Sequence, residues 1–224
     1  MNSDAIKKKC AKEALKFITN NTTIGLGGGS TISYLIDYIK KEDLQVRIVT
    51  PSFKTRMLCF QNGLTVLHTS AVDHISVAFD GCDEVDKNLH ALKSGGGIHT
   101  KEKIIASMAD DYILLVDNTK VVNTLTFKHP VVLEILEDSL HYVEKKVVKM
   151  GGKFGIRTCS SKDGVTISDN GNLLVDVYFQ NVENHCTLEK NLKKICGVID
   201  SSLFTNVVTK VVIASENDIK VLSK

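Results

Sequence analysis

Three loops concentrate glycines, hydroxyls, carboxylates and lysines, the residue types that bind anions and move protons. The first is Gly25-Leu26-Gly27-Gly28-Gly29-Ser30-Thr31, between an apolar strand pattern and a helical one. Glycines let the backbone approach an anion, and a helix N-terminus supplies free N–H groups and the positive end of a dipole. The Ser30 and Thr31 hydroxyls add donors. A dinucleotide fingerprint would need glycine at the position of Ser30 and an acid closing the next strand, and a P-loop would need a Gly-Lys-Ser/Thr ending. Neither is present. Taken alone the segment is equally a tight strand-to-helix turn; beside the other two loops, phosphate binding is favoured.

The second loop is Asp80-Gly81-Cys82-Asp83-Glu84, directly after the apolar run Ile75–Phe79. Carboxylates at a strand end can bind sugar hydroxyls or exchange protons. Glu84 and Asp86 read as turn residues that cap backbone N–H groups, whereas Asp80, the first residue past the strand, is a functional candidate. A magnesium site would need a second oxygen-rich loop, and none is obvious. The third loop, Lys93-Ser94-Gly95-Gly96-Gly97-Ile98-His99-Thr100-Lys101-Glu102-Lys103, sets a lysine, a glycine run and a glutamate in the first turn of a helix. A carboxylate and an ammonium in one glycine-lined cleft suit proton abstraction beside a carbonyl. The base removes the C–H proton and the cation stabilises the developing oxyanion. Glu102 in isolation is simply a carboxylate well placed at a helix N-terminus, and His99 reads as a loop residue. The helix terminus, Lys101 and Lys103 are expected to lower the Glu102 pKa, against the needs of a base.

The elements that must hold these loops follow from periodicity. Ile6, Cys10, Ala14 and Ile18 share one helical face, with Asp4 as the expected N-cap. Strands are predicted at 23–26, 45–49, 64–67, 75–79 and 112–116, with helices from Ser30, through Met57 and over 101–108. Apolar strands alternating with helices predict a doubly wound, mostly parallel sheet of Rossmann-like type, whose ligands gather at strand carboxyl ends. From about residue 127 the pattern becomes β-α-β-β-α-β: strands at 131–136, 154–158, 173–179 and 198–204, helices at 138–149 and 187–195. That is the order of a split, ferredoxin-like unit. The tail adds strands at 210–214 and 219–222. The expected organisation is an α/β domain, residues 1–126 plus 205–224, interrupted by an α+β domain, residues 127–204.

The chain has 224 residues, 43% hydrophobic and 24% charged, with 28 basic against 26 acidic side chains. This balance carries no footprint of duplex nucleic-acid binding, and no apolar stretch approaches a membrane span. The N-terminus lacks the apolar core of a signal peptide. Six cysteines, none in a C-x-x-C pair, and seven dispersed histidines give no metal-ligand spacing. Free thiols in a reducing cytoplasm, and no metal site, are expected.

The three loops, in this order, resemble ribose-5-phosphate isomerase of the A type, whose pattern runs roughly G-x-G-T-G-S-T, D-G-A-D-E and K-G-G-G before R-E-K. Val116–Lys120, Ser168–Asn172 and Gly197–Phe204 are similar to the family as well, so the resemblance spans essentially the whole chain. It implies interconversion of D-ribose 5-phosphate and D-ribulose 5-phosphate through an enediolate, without metal or organic cofactor, in the non-oxidative branch of the pentose phosphate pathway. It also implies a homodimer or larger homo-oligomer. Carried over by position, Glu102 is the base, and Asp80 and Asp83 bind hydroxyls and assist ring opening. Lys93 sits near the oxyanion, and Lys7, Gly28, Gly29, Ser30, Thr31 and Lys120 hold the phosphate end or substrate oxygens. Gly81, Cys82, Ser94, Gly95 and Gly96 complete the implied substrate contacts. Three positions depart from the pattern: Gly28 for Thr, Cys82 for Ala, and Ser94 for a glycine that matters if the position needs positive φ. Two other readings stand beside this one, a non-catalytic sugar-phosphate sensor and a CoA-transferase-like enzyme with Glu102 as nucleophile.

Overall fold

Every apolar run read as a strand before residue 117 and in the tail joins one seven-stranded sheet. Its order is 219–223, 210–214, 109–117, 75–80, 23–26, 47–49, 65–66. The computed structural model describes residues 3–160 and 162–224, without the side chain of Lys162. Neighbouring strands are parallel except the pair 210–214 and 219–223, which is antiparallel. Parallel strands covered on both faces need continuous apolar sequence, and Tyr112–Val116 supplies it. Ile113 and Leu115 pack toward helices α1 (Ser3–Ala14) and α2 (Ser30–Lys41), while Tyr112, Leu114 and Val116 face the opposite side. Helix α2 buries Ile32, Leu35, Ile36 and Ile39, the stripe its spacing predicts. Asp4 is not a cap, because Ser3 is already helical.

The strand order fixes where a ligand can sit. From the adjacent strands 23–26 and 75–80 the chain proceeds outward in opposite directions across the sheet. Their carboxyl ends therefore flank a crevice at a topological switch point. The loops that leave there are the glycine loop and the Asp80 loop. Helices α3 (Phe53–Gln61) and α4 (His99–Met108) complete this half of the molecule.

Residues 131–201 form an antiparallel sheet ordered 153–156, 173–178, 131–135, 198–201, with α5 (Leu140–Lys149) and α6 (His185–Lys193). Val131, Leu133 and Ile135 meet Val143, Val147, Leu188 and Leu192 in its core. This is the ferredoxin-like strand order the β-α-β-β-α-β pattern implies. Several details differ from the sequence reading, and Thr158 leaves the expected strand 154–158 to pair with Val165. The expected strand 198–204 is two strands: 198–201 stays in this sheet, and Leu203–Phe204 crosses to pair with Ala91–Leu92. Residues 137–139 are a 3-10 turn, so the α-helix begins at Leu140 rather than at Asp138.

A third, small sheet, ordered 203–204, 91–92, 84–86, 121–122, has no counterpart in the sequence reading. Its strands are two or three residues long and include Glu84 and Asp86, so no periodicity marks them. Long-range pairing alone creates them.

Candidate active site

The crevice is built by close approach of backbone to side chain. A Cβ at position 27 would lie 2.0 Å from Asp80 Oδ1, so only glycine lets the two strand ends converge. Gly29, with φ of +97°, opens α2 in a conformation that side chains disfavour. Thr55 of α3 donates from Oγ1 to the Gly27 carbonyl at 2.7 Å, fixing the loop from its outer side. Ser52 caps α3 by accepting from Thr55 N.

Asp80, Lys93 and Glu102 converge at the base of this crevice, each almost wholly buried. Lys93 Nζ lies 3.0 Å from Asp80 Oδ2 and 3.4 Å from Glu102 Oε1. Lys93 also donates to the Gly81 carbonyl. Asp80 is clamped from two further directions, accepting from Gly81 N at 2.8 Å and from the Tyr112 hydroxyl at 3.1 Å. Glu102 Oε2 is buried and has no hydrogen-bond partner among the described residues. One carboxyl oxygen thus faces the Lys93 cation while the other is left without a partner among those residues.

The electrostatics reverse the expectation for Glu102. Burial pushes its carboxyl up to about 8, the charge of Asp80 adds to the rise, and Lys93 opposes it. The two lysines expected to depress it turn elsewhere. Lys101 pairs with Asp169 at 3.2 Å, and Lys103 is buried against Glu189 and Asp200 at 2.7 and 2.9 Å. Burial by itself would weaken the Lys93 ammonium, but Asp80 and Glu102 outweigh that and hold it well above the usual lysine range.

A cavity of about 550 Å³ opens over these groups, walled by Gly28, Gly29, Gly81, Cys82, Asp83, Gly95, Gly96 and Lys120. An adjoining cavity of about 370 Å³ shares Gly28, Gly29, Gly81 and Lys120 with it and is closed by Lys7, Ser30 and Thr31. Lys120 Nζ donates to the Cys82 carbonyl at 2.7 Å. Asp83 Oδ2 accepts from Ser94 N at 2.6 Å and Gly95 N at 3.1 Å, shaping the loop after Lys93.

Ser94 departs from its assigned place. Its hydroxyl donates to the Pro130 carbonyl and its own carbonyl accepts from Arg157, so it anchors the loop from behind and does not line the cavity. Its φ is not positive; Gly96 and Gly97 take that conformation, which is why serine fits. Position 28 likewise has room for a side chain, since a Cβ there meets only Ser52 at ordinary contact distance. Burial raises the Cys82 thiol to about 12, which removes it as a nucleophile near neutrality. His99 is fully buried, with Nε2 3.3 Å from the Asp200 carbonyl, and burial lowers it to about 4.

Four residues of the site were not singled out in the sequence. Tyr112 looks like one more apolar strand residue. Ser52 and Lys54 sit in a helix start without a glycine signal. Asp169 lies in the Ser168–Asn172 stretch, similar to the family but given no site role, yet it lines the larger cavity. That turn is held by buried Glu134, which accepts from Ser168 Oγ, Asn170 Nδ2 and Asn172 Nδ2 at 2.7–3.0 Å. The 127–204 segment therefore contributes a wall of the cleft.

Known proteins resemble this chain over its full length. The sequence profile of ribose 5-phosphate isomerase A (phosphoriboisomerase A) matches residues 47–218. The chain is 37% identical to the ribose-5-phosphate isomerase A of Pyrococcus abyssi, with both sequences covered completely. It superposes on the Methanocaldococcus jannaschii ribose 5-phosphate isomerase A structure with a TM-score of 0.92 at 36% identity, again over all of both chains. A D-ribose-5-phosphate isomerase solved with phospho-erythronic acid gives a TM-score of 0.94 at 33% identity and the same complete coverage. The matching profile and these relatives, alike over the whole chain, place it in the ribose-5-phosphate isomerase A family.

Proposed function

We propose that this chain interconverts D-ribose 5-phosphate and D-ribulose 5-phosphate by proton transfer through an enediolate. The observation that carries the reading is the buried Glu102 carboxyl on the floor of the cleft, with Oε1 3.4 Å from the Lys93 ammonium and Oε2 without a hydrogen-bond partner among the described residues. With the open-chain aldose in place, Glu102 takes the proton from C2 while Lys93 stabilises the negative charge developing on the C1 oxygen. The same carboxyl returns the proton to C1 while the hydroxyl proton of O2 passes to O1, giving the ketose. Asp80, braced by Tyr112 and Gly81, and Asp83 bind hydroxyls and assist opening of the sugar ring. The α2 N-terminus, Ser30, Thr31, Lys7 and Lys120 take the phosphate. The ligand bound by the relative above, phospho-erythronic acid, joins a phosphate to a carboxylate, and these two ends suit the two cavities.

A coupled assay of the purified protein with ribose 5-phosphate, run with and without chelator, tests this directly. Ketose formation in both arms is expected; its absence in both would sink the reading. Two further outcomes follow from the geometry. The rate constant kcat/KM is expected to rise about tenfold per pH unit and level off above about 8, where Glu102 is ionised and able to accept a proton. A flat profile between pH 6 and 9 would contradict the assignment. Lys7→Ala is expected to raise KM roughly tenfold with kcat within twofold, the effect of losing one charge-assisted hydrogen bond of ~1.5 kcal/mol. Steady-state kinetics separates the two constants.

The reading extends to a homodimer or larger homo-oligomer in the cytoplasm, acting in the non-oxidative pentose phosphate branch. Exposed Phe53, Phe60 and Ile104 support self-association. No helix among the described residues is long and apolar enough to cross a membrane. Division into residues 1–126 plus 205–224 and an inserted 127–204 domain belongs to the same proposal, supported by the core that the antiparallel sheet builds with α5 and α6, which Leu92 and Leu125 join from the first unit.

A further inference from the structure

We propose that Asp86, His90 and His185 form a binding site for a divalent transition-metal ion of the zinc class, outside the catalytic cleft. The histidines are far apart in sequence, and the fold brings them together. Asp86 ends the strand 84–86, His90 closes the tight turn that follows, and His185 is the first residue of α6. Three potential ligand atoms face one another: Asp86 Oδ2, His90 Nδ1 and His185 Nδ1. They are separated by 3.2 Å (Asp86 to His90), 3.5 Å (Asp86 to His185) and 3.1 Å (His90 to His185). A tetrahedral ion with bonds of ~2.0–2.1 Å has ligands about 3.3 Å apart. The three atoms therefore outline one face of such a tetrahedron, leaving the fourth position for water.

The surroundings hold the ligands as a metal site would. Asp86 is fully buried, and its other oxygen, Oδ1, accepts from Asn88 N and His90 N at 2.9 Å each. Backbone donors thus fix the carboxylate and aim Oδ2 at the imidazoles. His90 Nε2 lies 3.6 Å from Cys186 Sγ. With its proton on that side, the ring presents the Nδ1 lone pair to the ion, the outer hydrogen bond that ligating histidines use. His185 is packed on Phe127, ring centroids 5.4 Å apart, and is itself buried. Two imidazoles and one carboxylate suit zinc and its neighbours better than magnesium or calcium. An ion here would join the turn of the small sheet to the first turn of α6, and so tie the inserted segment to the rest of the chain. The rival arrangement is a single proton shared between the two Nδ1 atoms.

The test uses the full chain, stripped with chelator, desalted and titrated with Zn²⁺ alone. One zinc retained per chain is expected, with a rise of several degrees in Tm as zinc is added. His90→Asn and His185→Gln are expected to retain none and to lose the rise, while forming ketose from ribose 5-phosphate at the normal rate. A variant with Cys159 and Cys196 changed to Ser, Cys186 being kept as the partner of His90, is expected to bind as the parent does. Co²⁺ loaded into the unaltered chain gives a readout without any substitution: intense tetrahedral d–d bands lacking thiolate charge transfer. Failure of the parent chain to retain zinc, equal retention by both histidine variants, or binding that disappears with the cysteines would each overturn the proposal.

Discussion

Glu102→Gln is expected to lower kcat about a thousandfold, inside the 10²–10⁴ range that a positioned general base contributes, while sugar-phosphate binding changes only a few-fold. The amide has nearly the same shape and can still sit beside Lys93, so the cleft is preserved. What it cannot do is accept the C2 proton. Equilibrium binding of a non-reacting phosphorylated sugar acid, measured beside single-turnover rates, separates the two effects. Normal turnover in this variant would show that another group is the base.

The same substitution is expected to stabilise the fold at high pH. A carboxyl whose native pKa is about 8 holds its proton in the folded chain over a range where the unfolded chain, ionising near 4.5, has lost it. The native state then binds more protons than the unfolded one, so unfolding free energy falls as pH rises from about 4.5 to 8. Glutamine carries no such penalty. Melting curves should show the variant gaining on the parent between pH 5 and pH 9, with the gap widest at the upper end. A constant gap would mean that Glu102 ionises no differently in the two states. A carboxyl buried this deeply thus costs stability once it ionises, a common trade at functional sites.

Much of this site is legible in the chain because its geometry is local. Glycine loops at strand ends, a lysine nine residues before a glutamate and a hydroxyl pair opening a helix are sequence neighbours, and the parallel sheet puts their loops side by side. The misjudged points depend on partners remote in sequence. Nothing near Glu102 announces that Lys103 turns toward Glu189 and Asp200, 86 and 97 residues away. Proximity in sequence suggested a cation lowering the Glu102 pKa; the fold spends that cation elsewhere, and burial decides the outcome. Asp86, His90 and His185 illustrate the same limit. Dispersed histidines look unrelated until the turn at Leu89, with φ of +64°, and the start of α6 are brought together. The small third sheet is invisible for the same reason, since two-residue strands carry no period to read.

Lys103→Met is expected to cost about 3–5 kcal/mol of stability, the range for leaving a buried ion partner uncompensated. Lys103 Nζ is nearly inaccessible and donates to Glu189 Oε1, Asp200 Oδ1 and the carbonyls of Ser201 and Leu203, all within 3.0 Å. It sits on α4, next in sequence to Glu102, while its partners lie on α6 and on the strands 198–201 and 203–204. Methionine matches the length of the stem but leaves two buried carboxylates without their cation. Glu189 retains its bonds from Thr205, and Lys193 stays 3.4 Å from Asp200, so the chain should weaken rather than fail to fold. The comparison is Lys101→Met, two residues earlier on the same helix. Its pairing with Asp169 is about half exposed, and such pairs contribute roughly 0–1 kcal/mol. Urea unfolding of both variants at pH 7 should therefore separate them by several kcal/mol. Equal losses would mean that the buried network is no stronger than a surface pair, and that α4 is held in place by its apolar contacts alone.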